Sequence, residues 1–382
     1  MYEIKAFPYD GAVDADGHVL EPAWLWEHYL EERYQERAMR IGVDENGLER
    51  LELDGRPSER TTRGFLGLLG AMGEPDARPS PDRRYMDNIP YGAGDANERM
   101  ALLEKEHLDA ALLYPTIGLL WECEVTDAEL SLAYTRAYNR WIADFCRESG
   151  GRLVPIAHLS LLDPEGAAAE LRRAVADGCR GGFVAPFTHT RLAHGHPDHD
   201  VLWRTAVELD VPVAIHPTFE PVWCAPVRFD GFGRAAQFHY NVMVRQGTQQ
   251  SLLSFFTHGT IERFPALKLG VLESGMGWIG SFLDRADAVY ETISSRGLTL
   301  STAPSELFAR QCFISGDPDE TAAPFIMDHV GAHCFMWATD YPHPDHPGTW
   351  VDALTRLVEP LAADTRRAFL GDNVRRLYGL TT

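Results

Sequence analysis

The chain has 382 residues and a formal net charge of −21 at pH 7, with 56 acidic against 35 basic residues. Such a charge argues against nucleic acid and anionic membranes as partners, because both attract basic surfaces. The hydrophobic content of 45% and the charged content of 24% are ordinary for a globular protein, so we expect a folded chain.

The cysteines and the N-terminus favour a cytoplasmic protein. The six cysteines form no Cys-x-x-Cys pair, which argues against a zinc knuckle or a disulfide framework and suits a reducing compartment. Residues 1–5 lack the long apolar core of a signal peptide, and no apolar run approaches the length of a membrane span.

The first predicted strand covers residues 12–18. Its alternation places Asp14, Asp16 and His18 on one face, with small residues on the other. Glu21 and Pro22 then turn the chain into a helix rich in tryptophan and tyrosine.

Residues 37–98 do not follow the pattern that comes after them. Alternating leucines and charged residues predict a hairpin strand near 50–54, and 75–97 is rich in proline, aspartate and glycine. We predict an insertion that covers the site as a lid, and a plain surface excursion is the alternative.

From Glu98 onward, helices and short apolar strands alternate regularly. Near-continuous apolar strands separated by helices predict a parallel sheet covered on both faces. With the opening strand there are eight βα units, so the predicted class is α/β, a (β/α)8 TIM barrel formed by 1–382 as a single domain. The seven later strands are predicted at 110–115, 153–158, 181–186, 211–216, 267–273, 311–315 and 334–337.

Polar residues end four of these strands. The first supplies Asp16 and His18, the fifth His216, the sixth Glu273 and the eighth Asp340. Active sites of such barrels lie at the carboxyl ends of the strands, and imidazole with carboxylate suits a divalent ion such as Zn²⁺ or Mn²⁺. Singly, each residue is more often structural, for example as a helix cap, but their joint placement favours a metal site.

Several segments resemble the amidohydrolase-related (amidohydrolase 2) family, in the branch of aminocarboxymuconate semialdehyde decarboxylase. Residues 14–22 resemble its opening D-x-[HED]-x-H strand. The other similar segments occur in the family's order, at 214–217, 262–268, 273–278, 338–343 and 371–378.

This resemblance implies that Asp16, His18, His216 and Asp340 hold one divalent metal ion, with Zn²⁺ favoured and Mn²⁺ as the alternative. Many decarboxylases of the branch have histidine at the first ligand position and at position 273, where this chain has carboxylates. The added negative charge around the ion is the reason why Mn²⁺ is kept as the alternative to Zn²⁺. The strand at 181–186 contains no lysine that could be carbamylated to bridge two metals, so a mononuclear site is expected.

The predicted catalytic residues are Asp340, as metal ligand and base, and Glu273, as orienting group or proton donor. Glu21 and His343 are predicted to contact the substrate. Trp278 is predicted to wall the pocket, with core packing as the alternative.

Other histidines are weighed against a structural role. His158 ends the third strand, where it lines the mouth or is simply buried. The loop after the fourth strand carries four histidines that we expect to be solvated rather than metal-binding, namely His189, His194, His196 and His199.

The predicted activity is metal-dependent, and two chemistries remain open. Decarboxylation of a small unsaturated or aromatic acid is favoured by the family branch, and hydrolysis of an amide, ester or C–C bond is the alternative. The hypothesis from another functional class is a non-catalytic descendant of such enzymes that binds a ligand. The predicted partners are a small-molecule substrate and a second copy in a homodimer, since the branch commonly dimerises.

Overall fold

The structure is a computed structural model that describes residues 2–224, 231–298 and 300–381. The strands of these described residues are, in chain order, β1 (Val13–His18), β2 (Arg40–Val43), β3 (Glu49–Leu53), β4 (Arg56–Pro57), β5 (Ala110–Tyr114), β6 (Leu153–Pro155), β7 (Ala157–His158), β8 (Gly182–Val184), β9 (Val213–Ile215), β10 (Leu269–Val271), β11 (Cys312–Gly316) and β12 (Phe335–Trp337).

Helices follow nearly every strand of the parallel system, as the alternating pattern predicts. They are α1 (Leu25–Tyr29), α2 (Ala96–Glu106), α3 (Ala128–Cys146), α4 (Pro164–Ala176), α5 (Asp200–Leu209), α6 (Ala236–Met243), α7 (Arg245–Thr257), α8 (Thr260–Arg263), α9 (Ile279–Ile293), α10 (Pro304–Gln311), α11 (Ala323–Val330), α12 (Trp350–Val358), α13 (Ala363–Arg367) and α14 (Asn373–Tyr378). A π-helical turn at Ala368–Asp372 joins the last two.

Aspartates fix the starts of three of these helices. Asp95 accepts hydrogen bonds from two backbone amides at the start of α2, and Asp127 does the same for α3. Asp163 accepts one from the first turn of α4, where Pro164 needs no partner for a missing N–H. The helix starts are therefore determined by short-range sequence signals.

Eight parallel strands run in chain order. The first sheet has the order β1-β5-β6, and the second runs from β7 through β12 with each strand beside the next. β6 and β7 are two parts of one strand, because the flanking Ile156 amide bonds to Leu113 O at 3.4 Å and the Ala157 amide bonds to Gly181 O at 3.0 Å. The predicted parallel (β/α)8 arrangement is confirmed.

Single contacts, rather than a ladder, join the last strand to the first. Within the described residues β12 and β1 are not paired, but the Asp340 amide donates to Asp16 O at 3.0 Å. The Asp14 carboxylate accepts from the Thr339 amide at 2.9 Å and from its hydroxyl at 2.6 Å. These bonds hold the end of β12 beside β1.

The predicted alternation of β1 is wrong in one respect. Its register against β5 shifts between Asp14 and Gly17. Before the shift, Ala15 belongs to the apolar cluster inside the barrel and Asp14 points at Thr339. An irregularity of this kind re-aims the side chains that follow it. The Asp14 side chain thus does not share the face of the Asp16 side chain, although its carboxylate accepts a hydrogen bond from the Asp16 amide at 3.3 Å.

The segment 37–98 contains a separate antiparallel sheet of order β2-β3-β4, as the hairpin pattern predicts. Farther along, the Met72 amide donates to Pro342 O at 3.2 Å, and the Tyr85 hydroxyl donates to Glu21 O at 3.1 Å. Both contacts tie the segment to residues that follow β12 and β1, at the carboxyl ends of the strands. Its role as a lid stays a prediction.

An apolar cluster fills the barrel interior below these strand ends. Tyr114 and Phe183 belong to it, and residues of α14 join it from the other side.

No helix of the described residues combines the length and apolar character that a membrane crossing requires.

Candidate active site

Four predicted ligands converge at the carboxyl ends of β1, β9 and β12. His18 Nε2 lies 3.5 Å from Asp16 Oδ1 and 3.0 Å from Asp340 Oδ1. His216 Nε2 lies 3.3 Å from the same Asp16 oxygen. All four residues are buried, and their potential ligand atoms fall into overlapping groups of metal-binding size. The structure thus brings these strand ends together, and their role as metal ligands stays a prediction.

The donor atoms of this cluster suit a cation. Each histidine uses Nδ1 to contact a backbone carbonyl, His18 to Pro115 O and His216 to Pro217 O, both at 2.7 Å. Such contacts fix the tautomer and leave Nε2 free as a ligand. Both Asp16 oxygens, both Nε2 atoms and Asp340 Oδ2 are buried and make no hydrogen bond of suitable geometry to any described residue. Because buried polar atoms are rarely left unpaired, a divalent ion fits this arrangement.

The backbone is strained where two of the carboxylates emerge. Glu273 follows β10 with φ of +42°, and Asp340 follows β12 with φ of +53°. Residues other than glycine rarely adopt this left-handed backbone conformation, and such backbone strain is found preferentially at functional sites. The strained backbone at these two strand ends is therefore held in place by the surrounding structure.

The two carboxylates have opposite protonation preferences. Burial alone would raise the pKa of Asp340, but the charges of His343 and His346 lower it well below its usual range. Burial raises the pKa of Glu273 well above its usual range, and the negative charge of Asp340 and of other nearby carboxylates adds to the effect. The surroundings therefore favour the ionised form of Asp340 and the protonated form of Glu273.

Glu273 lies at the edge of the cluster rather than inside it. Its Oε2 is 3.4 Å from His216 Nε2, and its side chain is 20% exposed. Glu273 also lines the cavity that opens over the site. A group so placed can reach a bound substrate, which agrees with the predicted role of proton donor.

His343 joins Asp340 to the wall of the cavity. Its Nδ1 lies 2.8 Å from Asp340 Oδ1, and its Nε2 lies 3.1 Å from Thr116 Oγ1. The ring packs 4.0 Å from that of His18 and lines the cavity. His343 therefore orients Asp340 and also faces the space predicted for substrate.

The geometry gives Glu21 a different position from the one predicted. Its buried carboxylate accepts hydrogen bonds from the amides of Thr116, Ile117 and Gly118, at 2.8 to 3.0 Å. The carboxylate therefore holds the loop after β5, and with it the Thr116 hydroxyl that meets His343. The predicted substrate contact of Glu21 has no support in this arrangement.

Trp278 is also placed away from the cavity. Its indole N–H donates to Ser274 O at 3.1 Å, and its ring meets Phe282 edge-on at 5.1 Å. Among the described residues that line the cavity, Trp278 does not occur. The core-packing alternative fits this position better.

Sequence reasoning missed His346, whose Nε2 lies 3.1 Å from Asp340 Oδ2. Burial alone would lower the pKa of His346, but the charge of Asp340 raises it well above the usual value. The signal that could have found it is the spacing of the two histidines after Asp340, at positions three and six. Asp340 is thus flanked by two imidazoles besides His18.

Two expectations about other histidines can be judged. His158 is buried, with Nε2 2.8 Å from Glu122 Oε2 and its ring stacked on Phe183 at 4.5 Å, which fits the alternative of a simply buried histidine. The expectation of a solvated loop after the fourth strand is wrong for His194 and His199, which are buried and bonded to backbone carbonyls. Their contacts hold that loop against the barrel.

A cavity of about 420 Å³ opens above Glu273 and His343. Its volume lies within the range of about 300–1,000 Å³ that is usual for small-molecule sites. The phenylalanine, leucine and valine side chains around it come from the segment 37–98, from the loops after β5 and β9, and from the end of α6: Phe65, Leu68, Leu69, Leu119, Leu120, Phe219 and Val244.

Curated relatives of the chain include decarboxylases. It is 34% identical over 134 residues to Decarboxylase orsB of Emericella nidulans, covering 32% of this chain and 38% of that protein. It is 25% identical over 283 residues to gamma-resorcylate decarboxylase of Rhizobium radiobacter, covering 67% of this chain and 79% of that protein. The match to the first relative thus spans less than half of its length.

Solved structures share the whole fold at low sequence identity. An amidohydrolase from Mycobacterium avium subsp. paratuberculosis superimposes with a TM-score of 0.77 at 20% identity, covering 97% of this chain and 99% of that one. The 5-carboxyvanillate decarboxylase of Novosphingobium aromaticivorans, solved with bound manganese, gives 0.70 at 19% identity, covering 99% and 100%. At these identities the likeness establishes the fold, and it confirms the predicted barrel.

A family model described as Amidohydrolase matches residues 117–380. The match starts after Asp16 and His18, so the opening motif extends the likeness beyond it. It includes His216, Glu273 and Asp340, and it covers more than half of the chain. The predicted resemblance is confirmed, and the chain belongs to the amidohydrolase family.

Proposed function

We propose that the protein is a metal-dependent decarboxylase that releases CO₂ from an aromatic carboxylic acid. The observation that carries this proposal is the pairing of two features at one cavity. A cluster of unpartnered, buried donor atoms suits a cation, and Glu273, a carboxyl group with a raised pKa, stands between that cluster and the cavity. The decarboxylases among the curated relatives support the choice of reaction.

Asp16, His18, His216 and Asp340 would hold one divalent ion. When bound, such an ion binds the substrate's oxygens and stabilises the negative charge that develops during the reaction. Two imidazoles and two carboxylates accommodate either Zn²⁺ or Mn²⁺. The further carboxylate at position 273, with the manganese in the 5-carboxyvanillate decarboxylase structure, makes Mn²⁺ the first ion to test beside zinc.

Glu273 supplies the proton that decarboxylation needs. As the bond between the ring carbon and the carboxylate breaks, CO₂ leaves and the electron pair stays on the ring carbon. Transfer of the Glu273 carboxyl proton to that carbon then gives the product. Burial and neighbouring carboxylates raise the pKa of Glu273, which favours the protonated form that a general acid needs.

Asp340 is a metal ligand in its ionised form. It is also the base that accepts a proton from a substrate hydroxyl. His343 contacts one of its oxygens at 2.8 Å and His346 approaches the other at 3.1 Å, so both fix its orientation. Removal of water by the apolar cavity walls strengthens these charged contacts.

A turnover assay distinguishes the open alternatives. Protein reconstituted with Mn²⁺ or Zn²⁺ is given 2,6-dihydroxybenzoate and 5-carboxyvanillate, together with the corresponding amides and esters, and CO₂ and hydrolysis products are measured. Metal-dependent CO₂ release is expected. Hydrolysis of the amides or esters without CO₂ would make the protein a hydrolase, and binding without any turnover would favour the non-catalytic alternative.

Two further predictions concern organisation. We infer that 1–382 behaves as one domain with 37–98 as a lid over the cavity, since residues of this segment line it. Homodimer formation, predicted from the family branch, is tested by light scattering of the purified protein at several concentrations.

A further inference from the structure

The cavity over the site has walls that differ from its floor. Glu273 and His343 are polar groups at one side, whereas phenylalanine, leucine and valine side chains approach from the surrounding loops and the segment 37–98. Thr62, Gln237 and Asn241 stand among these apolar side chains. Phe65 of that segment packs on Phe219 from the loop after β9, with ring centroids 5.6 Å apart. The apolar wall is thus assembled from parts of the chain that are far apart in sequence.

The titratable groups that line this cavity are three acidic residues and His343. Glu74, Glu273 and Asp345 line it, and among the described lining residues none is lysine or arginine. Glu74 is paired with Arg83 at 3.0 Å, which leaves the other two carboxyl groups without a basic partner of that kind. A second carboxylate on a substrate would therefore find no lysine or arginine partner among these described residues, and it would lose part of its hydration against the apolar side chains.

The cavity is larger than a single benzoate ring requires. Its volume of about 420 Å³ leaves space beyond a ring whose carboxylate lies at the metal cluster, and Phe65, Leu68 and Leu69 border the cavity. Apolar surface of this kind gains free energy by covering an apolar substituent.

We infer that the substrate is an aromatic acid with a single carboxylate and an uncharged, apolar ring substituent that is held by the wall from 37–98. This inference rests on the proposed decarboxylase function and narrows its substrate class. The inferred substrate differs from that of 5-carboxyvanillate decarboxylase, whose name describes a substrate with two carboxylates.

The test uses 2,6-dihydroxybenzoate and its 4-methyl, 4-ethyl, 4-propyl and 4-carboxy derivatives on the manganese-loaded protein. We expect kcat/KM to rise about three- to fourfold per added methylene, the factor that corresponds to burying one CH₂ group. The 4-carboxy compound should react about 10- to 100-fold more slowly than the 4-ethyl compound of similar size. Calorimetric affinities of the same series give a readout that does not depend on turnover.

Variants locate the effect. Leu68→Asn should flatten the dependence on chain length, whereas Leu253→Asn, at an exposed leucine on α7, should keep it. Equal reactivity and affinity across the series, or a 4-carboxy compound as good as the 4-ethyl compound, would overturn the inference while leaving decarboxylation intact. Affinity that rises with chain length without any CO₂ release would support the apolar site and overturn the proposed function.

Discussion

Replacing Glu273 with glutamine tests the division of roles between the two carboxylates. The substitution removes the proton that we assign to the reacting carbon and keeps the size of the side chain. Loss of a general acid lowers turnover about 10²- to 10⁴-fold, or roughly 3–5 kcal/mol of transition-state stabilisation. Within the described residues the Glu273 carboxyl group makes no hydrogen bond, and its Oε2 lies 3.4 Å from His216 Nε2. The metal content should therefore remain at one ion per chain.

The assay combines CO₂ release with metal analysis of the same samples. Thermal stability of Glu273→Gln should be unchanged or higher, because the variant removes an acidic group crowded by Asp340 and Asp345. Asp340→Asn is the informative comparison and should abolish turnover, while Glu291→Gln, at an exposed glutamate on α9, is the matched control. Equal metal loss in the Glu273 and Asp340 variants would make Glu273 a plain ligand, and full activity of Glu273→Gln would remove it from the mechanism.

Two other predictions follow from buried groups. His343→Phe removes the 2.8 Å contact to Asp340 and should weaken metal binding about 10- to 100-fold, measured by competition with a chelating indicator; unchanged affinity would contradict the orienting role. Burial raises the pKa of Glu106 from 4.5 to about 7, so its stabilising contribution is present below pH 4.5 and is lost as the pH rises through 7. Between pH 5 and 8 this loss amounts to about 2.5 kcal/mol of unfolding free energy, and it should be absent in Glu106→Gln in denaturant titrations. A pH dependence that persists in that variant would assign the loss to other groups.

Local patterns were enough to predict the barrel. Apolar runs of strand length separated by helical segments fix the order of a parallel sheet, and caps such as Asp95 and Asp127 mark helix starts within two residues. The division between β6 and β7 at Ile156 could not be seen, because it depends on which neighbouring strand each half meets. The shift in β1 escaped notice for the same reason, since alternation alone assumes a regular strand.

The candidate ligands could be predicted because strand ends converge in a barrel whatever the loops do. His18 and His216 needed only their positions at the end of β1 and directly after β9. Glu21 and His346 show the limit of that reasoning. The first is captured by three amides of a loop, and the second reaches Asp340 through a turn whose geometry no periodicity encodes.

Metal analysis of the purified protein tests the central claim most directly. Samples of the wild type and of the His216→Ala Asp340→Ala double variant are analysed for Zn, Mn and Fe after exhaustive dialysis, alongside assays of CO₂ release. The wild type should hold one divalent ion per chain, and the folded double variant should hold almost none. Active wild type without metal, or a double variant with undiminished occupancy, would contradict the assignment of the site.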